Sequence, residues 1–321
     1  MDLIAGLQDF VGANLHLLTP VEQAWQPSDL LPDLAAEDWA DRLARFREPA
    51  QGLSDEVLVV LVGSMVTEEA LPSYAVRLNR ITGDVTGSDG TPWARWLRGW
   101  TAEENRHGDL LNAYLRLTGR VDMRAVEQTI HQLITTGFNP KSEWDDVGGL
   151  VYAAFQERAT RITHGNVGKL ALRQGEDSLA RICRRIAGDE SRHETFYTRV
   201  VGEIMARDPA AGVLAFRKML KGLITMPARL MSDGRDPHLF DHFAAVSQRV
   251  GAYTAWTYAE IIGHLVATWN VGDLSLAGPA AKAQDYLCRQ EGRYKSLADE
   301  IASRAAERPP VPFRWLLDRA V

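Results

Sequence analysis

The sequence predicts an all-α protein built on a four-helix bundle. Two observations carry the fold. No stretch alternates apolar and polar residues with period two, and long apolar-periodic segments recur between capping residues, glycines and prolines. A third observation points to what the bundle holds. The pattern Glu-x-Arg-His occurs twice, in Glu103-Glu104-Asn105-Arg106-His107 and in Asp189-Glu190-Ser191-Arg192-His193. On a helix, residues three apart lie on one face, so each copy presents an acid and an imidazole together from one rigid rod.

The elements follow in order. Residues 1–34 form an irregular entry segment that includes Trp25-Gln26-Pro27 and Pro32. Ala35 to Phe46 is predicted as a helix. Ser54 to Asn79 reads as one long helix, with Leu58, Val59, Leu61, Val62, Met65 and Val66 making a wide apolar stripe that suits burial on most sides. Pro72 is expected to kink it just past Glu68 and Glu69. After a loop at Gly83 to Gly90, Thr91 as cap and Pro92 as first helical residue open a helix that runs to Thr118 and stops at Gly119. Shorter or longer helices are expected at Val121–Thr136, Leu150–Asn166 and Glu176–Arg207, the last ended by Asp208-Pro209. Three more follow at Val213–Thr225, Leu239–Ala267 and Pro279–Ala306. The 321 residues are expected to form one domain, with residues 54–207 carrying the core helices and 208–321 adding further ones.

Composition removes several function classes. A formal charge of −6 with no basic tract argues against nucleic-acid binding. Two cysteines, Cys183 and Cys288, exclude a disulfide framework, a four-thiolate cluster and a cysteine-based zinc site, and fit reduced thiols in the cytoplasm. Residues 1–20 lack a basic signal-peptide start. The most apolar run, Val57 to Val66, falls short of the ~20 residues that span a bilayer.

Each Glu-x-x-His is preceded by a lone acid on an earlier apolar helix. Glu68 lies 36 residues before Glu104, and Glu157 lies 33 before Glu190. Such spacing fits half a helix, a turn and half a returning helix, so both partners can sit mid-bundle. Four carboxylates and two imidazoles on four helices is the pattern of di-iron and di-manganese carboxylate bundles. Oxygen and nitrogen donors without thiolate suit iron or manganese, and four negative charges offset most of the charge of two buried ions. Two ions roughly 3.5–4 Å apart could bridge a small molecule such as O₂. Spacing alone does not choose Glu68 over Glu69 or Glu104 over Glu103. His238 and His242 are four apart but have no third ligand in the sequence. His16, His131, His164 and His264 belong to no motif, and no phosphate loop or nucleophile elbow is present.

Longer motifs carry a resemblance. Thr67-Glu68-Glu69-Ala70-Leu71-Pro72, the run Trp100 to Leu111, Phe155-Gln156-Glu157-Arg158-Ala159-Thr160 and Asp189 to Glu194 resemble the soluble acyl-carrier-protein desaturases. Met226-Pro227-Ala228, Asp233-Gly234-Arg235-Asp236 and the closing Pro312-Phe313-Arg314-Trp315 extend the likeness nearly end to end. The resemblance implies a ferritin-like di-iron bundle elaborated with additional helices. It implies iron ligands Glu68, Glu104, His107, Glu157, Glu190 and His193. It implies Thr160 as a hydroxyl beside the O₂ site, and Trp25, His107 and Asp189 as the path of electrons to iron. The implied reaction is O₂-dependent insertion of a cis double bond into a saturated chain carried on acyl carrier protein, with ferredoxin as electron donor and a homodimer as the assembly.

The chain departs from the plant pattern in places. Arg77 and Arg80 stand where the resemblance places a Met and a Thr, and Leu150 replaces an aromatic residue. A charged arginine does not line an apolar tunnel without a partner, so these side chains either turn outward or mark a shorter or partly polar cavity. Arg217, Lys218 and Lys221 on one helix are candidates to dock an acidic carrier. Two alternatives accompany the desaturase: a di-iron hydroxylase on the same carrier, and a ferritin-type ferroxidase, which the length disfavours.

Overall fold

The structure is a computed structural model that describes residues 3–84, 86–140 and 145–321, with the side chains of Arg77 and Thr82 outside the description. Helices α1 (Gln8–Asn14), α2 (Trp39–Ala50), α3 (Asp55–Glu69), α4 (Leu71–Thr82), α5 (Pro92–Thr118) and α6 (Met123–Thr136) form the first half. The second half holds α7 (Asp146–Arg173), α8 (Asp177–Arg207), α9 (Pro209–Lys221), α10 (Leu239–Val250), α11 (Ala255–Thr268) and α12 (Gly278–Glu307). Helices α3, α5, α8 and α7 close a ring of contacts, α3 on α5, α5 on α8, α8 on α7 and α7 on α3, which is the ferritin-like four-helix core. Helices α9, α11 and α12 pack outside α7 and α8, and α10 lies against α3.

Local chemistry sets the ends of these rods. The Thr91 hydroxyl accepts from the Ala94 amide, Pro92 opens α5, and Gly119 closes it at φ 67°. Asp145 caps α7 through the Gly148 amide, and Glu176 caps α8 through the Ser178 and Leu179 amides. Such caps contribute about 1 kcal/mol each. Helix α3 is buried from Val57 to Glu68, as its all-round apolar sequence requires.

Several bounds differ from the sequence expectation. The single kinked helix at 54–79 is two helices. Pro72 has no amide hydrogen to return to Glu68, so the chain leaves the helix at Ala70 (ψ 4°) and restarts at Leu71. Helix α9 starts at Pro209 instead of Val213, because Asp208 accepts from the Ala211 amide and the proline is a first-turn residue. The expected helix 239–267 is divided by Gly251 at φ 73°, a left-handed stop, and Thr254 caps the restart. Helix α2 lies four residues later than expected. A short antiparallel ribbon, Pro312–Phe313 with Arg319–Ala320, adds strand pairing that the sequence did not reveal. The stretch Asp55–Ile81, which runs through the break at Ala70, is long and apolar enough to cross a membrane, but 78% of its apolar window is buried inside the protein.

Candidate metal centre

Glu68 lies in the last turn of α3, Glu104 and His107 lie on α5, Glu157 on α7, and Glu190 and His193 on α8. The structure brings all six together at the centre of the ring, and every one is buried. Glu68, Glu104, His107 and Glu190 form one group whose ligand atoms lie within 4.8 Å of one another. Glu104, Glu157, Glu190 and His193 form the second. Glu104 and Glu190, one from each repeat, belong to both. His107 Nδ1 faces Glu190 at 3.4 Å, Glu104 at 3.8 Å and Glu68 at 3.9 Å. His193 Nδ1 faces Glu104 at 2.8 Å, Glu157 at 3.4 Å and Glu190 at 4.0 Å.

The orientation of these atoms tests whether metal fits. His107 Nδ1, His193 Nδ1, Glu104 Oε1 and both Glu190 oxygens are buried without a hydrogen-bond partner. Buried polar atoms are normally paired. Here they converge on shared space, and their hard oxygen and imidazole donors suit a pair of cations. Without cations the charges are costly. Burial first, then the opposing carboxylate Glu190, pushes Glu104 up to about 7. Burial, with Glu157 and Glu68 nearby, does the same to Glu190. Burial and Glu104 raise Glu157. Burial disfavours charge on His107, but the facing carboxylates of Asp189 and Glu190 outweigh that and raise it well above the ordinary imidazole range. The same balance raises His193 through Glu103 and Glu104.

The outer nitrogens of the imidazoles are held crosswise. Asp189, on the α8 repeat, lies 3.4 Å from His107 Nε2 on α5. Glu103, on the α5 repeat, lies 2.8 Å from His193 Nε2 on α8. A carboxylate behind a histidine fixes its tautomer and aims the other nitrogen inward. The arginines of the two repeats sit between these acids. Arg192 Nη2 donates to Glu103 at 3.0 Å and to Asp189 at 2.9 Å. Arg106 stacks over Trp25 at 5.2 Å. The Trp25 indole N–H donates to Asp189 at 3.0 Å, and its ring lies parallel to His107 with centroids 6.2 Å apart.

Three groups in this shell went unassigned in the sequence. In the sequence Glu103 stands only as an alternative ligand to Glu104. Its signal is its equivalence to Asp189, one position before each Glu-x-Arg-His. His164 holds Glu68 Oε1 at 2.8 Å from α7, two turns beyond Glu157, and that contact outweighs burial to keep Glu68 low. Trp100 donates its indole N–H to Glu157 at 2.9 Å. Thr160 faces the same region, with its hydroxyl donating to the Gln156 and Glu157 carbonyls of its own helix.

One apolar cavity meets the cluster, and a second lies outside it. The inner one, about 60 Å³, is lined by Glu68, Glu104, Glu157 and Glu190 at one side and by Tyr74, Leu78, Phe138, Tyr152 and Ala153 at the other. Helix α4 contributes Tyr74 and Leu78 to that wall, whereas Arg80 is exposed and turns outward. The expectation for Arg77 lies outside the described side chains. Leu150 is buried in the core instead of lining the cavity. The outer cavity, about 470 Å³, lies between α7, α10, α11 and α12, with Arg304 and Arg308 among its lining. Gln156 lines both.

The fatty acid desaturase family model matches residues 1–317. The chain belongs to that family. It is 50% identical over 325 aligned residues to the chloroplastic acyl-[acyl-carrier-protein] desaturase of Cucumis sativus, covering 100% of this chain and 82% of that one. The chloroplastic stearoyl-[acyl-carrier-protein] 9-desaturase of Spinacia oleracea is also 50% identical with the same coverage. Among solved structures, DesA2 from Mycobacterium tuberculosis matches with a TM-score of 0.55 and 23% identity over 88% of this chain and 99% of that one, a likeness of fold.

Proposed function

We propose that this family member is an O₂-dependent di-iron desaturase that introduces a cis double bond into a saturated acyl chain on acyl carrier protein. The observation that carries the reading is the apolar cavity that ends on Glu68, Glu104, Glu157 and Glu190. A hydrocarbon has no polar handle, so a wall of this kind can align it only by shape. The named plant relatives supply the carrier and the reaction class.

Two irons held by the six residues would supply the oxidising chemistry. Glu104 and Glu190 would be shared between them, with Glu68 and His107 completing one set and Glu157 and His193 the other. Asp189 and Glu103 hold the imidazoles in place. Trp25, stacked on His107 and bonded to Asp189, is the route for electrons from a ferredoxin. Thr160 offers a hydroxyl at the cavity wall beside Glu157. The surrounding apolar side chains exclude water from the chain and the carboxylates. Arg304 and Arg308 at the outer cavity give an acidic carrier a basic edge. On the expected cluster, Arg217 and Lys221 lie over the Tyr286 ring and Lys218 pairs with Asp145. The enzyme works as one domain over residues 1–321, assembled as a homodimer. Its two reduced thiols fit the cytoplasm, whereas the plant relatives are chloroplastic.

The test is to load the protein with iron, reduce it and supply stearoyl carrier protein and O₂, then weigh the acyl product. Loss of two hydrogens supports the desaturase. Gain of one oxygen makes it a hydroxylase, and an unchanged chain refutes the reading for this substrate.

A further inference from the structure

We propose that Tyr152, Gln156 and the Thr225 carbonyl form a gate between the outer and inner cavities, one that a long acyl chain opens and a short one leaves shut. The identity of the chain rests on the desaturase reading above.

Two donors on successive turns of α7 converge on one acceptor. The Tyr152 hydroxyl donates to the Thr225 carbonyl at 3.0 Å, and Gln156 Nε2 donates to the same oxygen at 3.1 Å. Thr225 belongs to the segment between the end of α9 and Pro227. Leu223, Ile224, Thr225 and Met226 of that segment line the outer cavity, and Pro227 lines the inner one. Tyr152 lines the inner cavity, and Gln156 lines both. The partition is therefore one face of a core helix and one short stretch of chain, joined at a single carbonyl. The outer cavity, about 470 Å³, is much the larger space, and the inner one, about 60 Å³, is the one that meets the carboxylates. A chain that passes from the first to the second parts this contact.

Two features make the contact openable. Leu223 has φ 60°, a left-handed conformation unfavourable for a branched side chain, and it is half-exposed. Leu223 lies two residues before Thr225, in the stretch that opening would move. In addition, Gln156 Oε1 is buried without a partner. The closed arrangement satisfies only one end of the amide, which lowers what opening it forfeits. Tyr152 and Gln156 thus act as specificity-determining residues, admitting chains by length.

The test uses the full iron-loaded chain without O₂, so that binding is read without turnover. Dissociation constants are measured for hexanoyl, decanoyl and stearoyl carrier protein on wild type, Tyr152→Phe and Gln156→Leu. Each variant should tighten stearoyl about three- to tenfold, the equivalent of one hydrogen bond, and change hexanoyl less than about twofold. A packing role would shift all lengths alike, and that result, or no change for stearoyl, overturns the gate. Tyr152→Phe keeps the ring and carries the test if Gln156→Leu fails to fold. Absence of any binding by wild type would overturn the acyl-carrier reading and the gate with it. A length-independent effect on a chain that does bind would overturn the gate alone.

Discussion

On α5, Glu103 reaches His193 and accepts from the Thr19 backbone amide at 2.8 Å. On α8, Asp189 reaches His107 and accepts from the Trp25 indole. The inner faces of the two repeats are alike, each giving one shared carboxylate and one imidazole. Their outer faces differ in one respect that matters for redox chemistry: Asp189 accepts from the indole of Trp25, whose ring lies parallel to His107, whereas Glu103 accepts from a backbone amide and His193 meets Trp96 and Trp100 edge-on. The two repeats can thus hold metal equivalently while serving it differently. Arg192 bridges both outer acids and keeps the two sides in register.

The largest effect should come from the part that is alike. His107→Ala and His193→Ala should each cost one metal per chain and abolish turnover. A well-folded variant with wild-type activity would break the equivalence. Next come the outer acids. Asp189→Asn and Glu103→Gln should each weaken iron binding about 10- to 100-fold. Only Asp189→Asn should also slow reduction of the loaded centre by a ferredoxin, measured by stopped flow. Equal slowing by both would erase the asymmetry. Trp25→Phe isolates it further: iron content should stay at the wild-type level while reduction slows about tenfold, an effect of about 1.4 kcal/mol on the barrier.

The smallest effect is a pH dependence of the metal-free chain. Glu104 and Glu190 are pushed up from 4.5 to about 7, and His107 and His193 are raised as well. A raised group stabilises the fold fully below its unfolded value and loses that contribution as pH rises through the folded one. Glu68, Glu103 and Asp189 are lowered and act in the opposite sense, in the acid range below their ordinary values. Chelated protein should therefore lose a few degrees of melting temperature as pH rises from about 5 to about 7. Glu104→Gln and Glu190→Gln should each remove a similar part of that slope, since one comes from each repeat. Iron-loaded protein should not show it, because bound metal requires the carboxylates ionised.

The clustering of the six residues was legible because rigid helices convert sequence spacing into position. Glu68 and Glu157 stood at nearly equal distances before their Glu-x-x-His partners, and the bundle brings them together. The shell behind the ligands was less legible. The Glu103–His193 contact joins residues 90 apart on two helices, and neither end has a local pattern that names the other. His164 was a lone histidine until the packing of α7 on α3 placed it against Glu68. Helix ends are poorly legible where a single capping cue competes with propensity. Asp208-Pro209 both stops α8 and starts α9, and Gly251 breaks an otherwise continuous apolar run. The cavities were the least legible part. Their walls combine α4, α7 and the stretch 223–227, and nothing in the linear order brings those together.

The sharing of Glu104 and Glu190 between the two groups is the claim on which the rest stands, and iron counting tests it most directly. Anaerobic titration with ferrous iron, followed by elemental analysis, should give two irons per wild-type chain and none firmly held by Glu190→Ala. Retention of one iron by that variant would mean two separate sites, and retention of both would contradict the assignment.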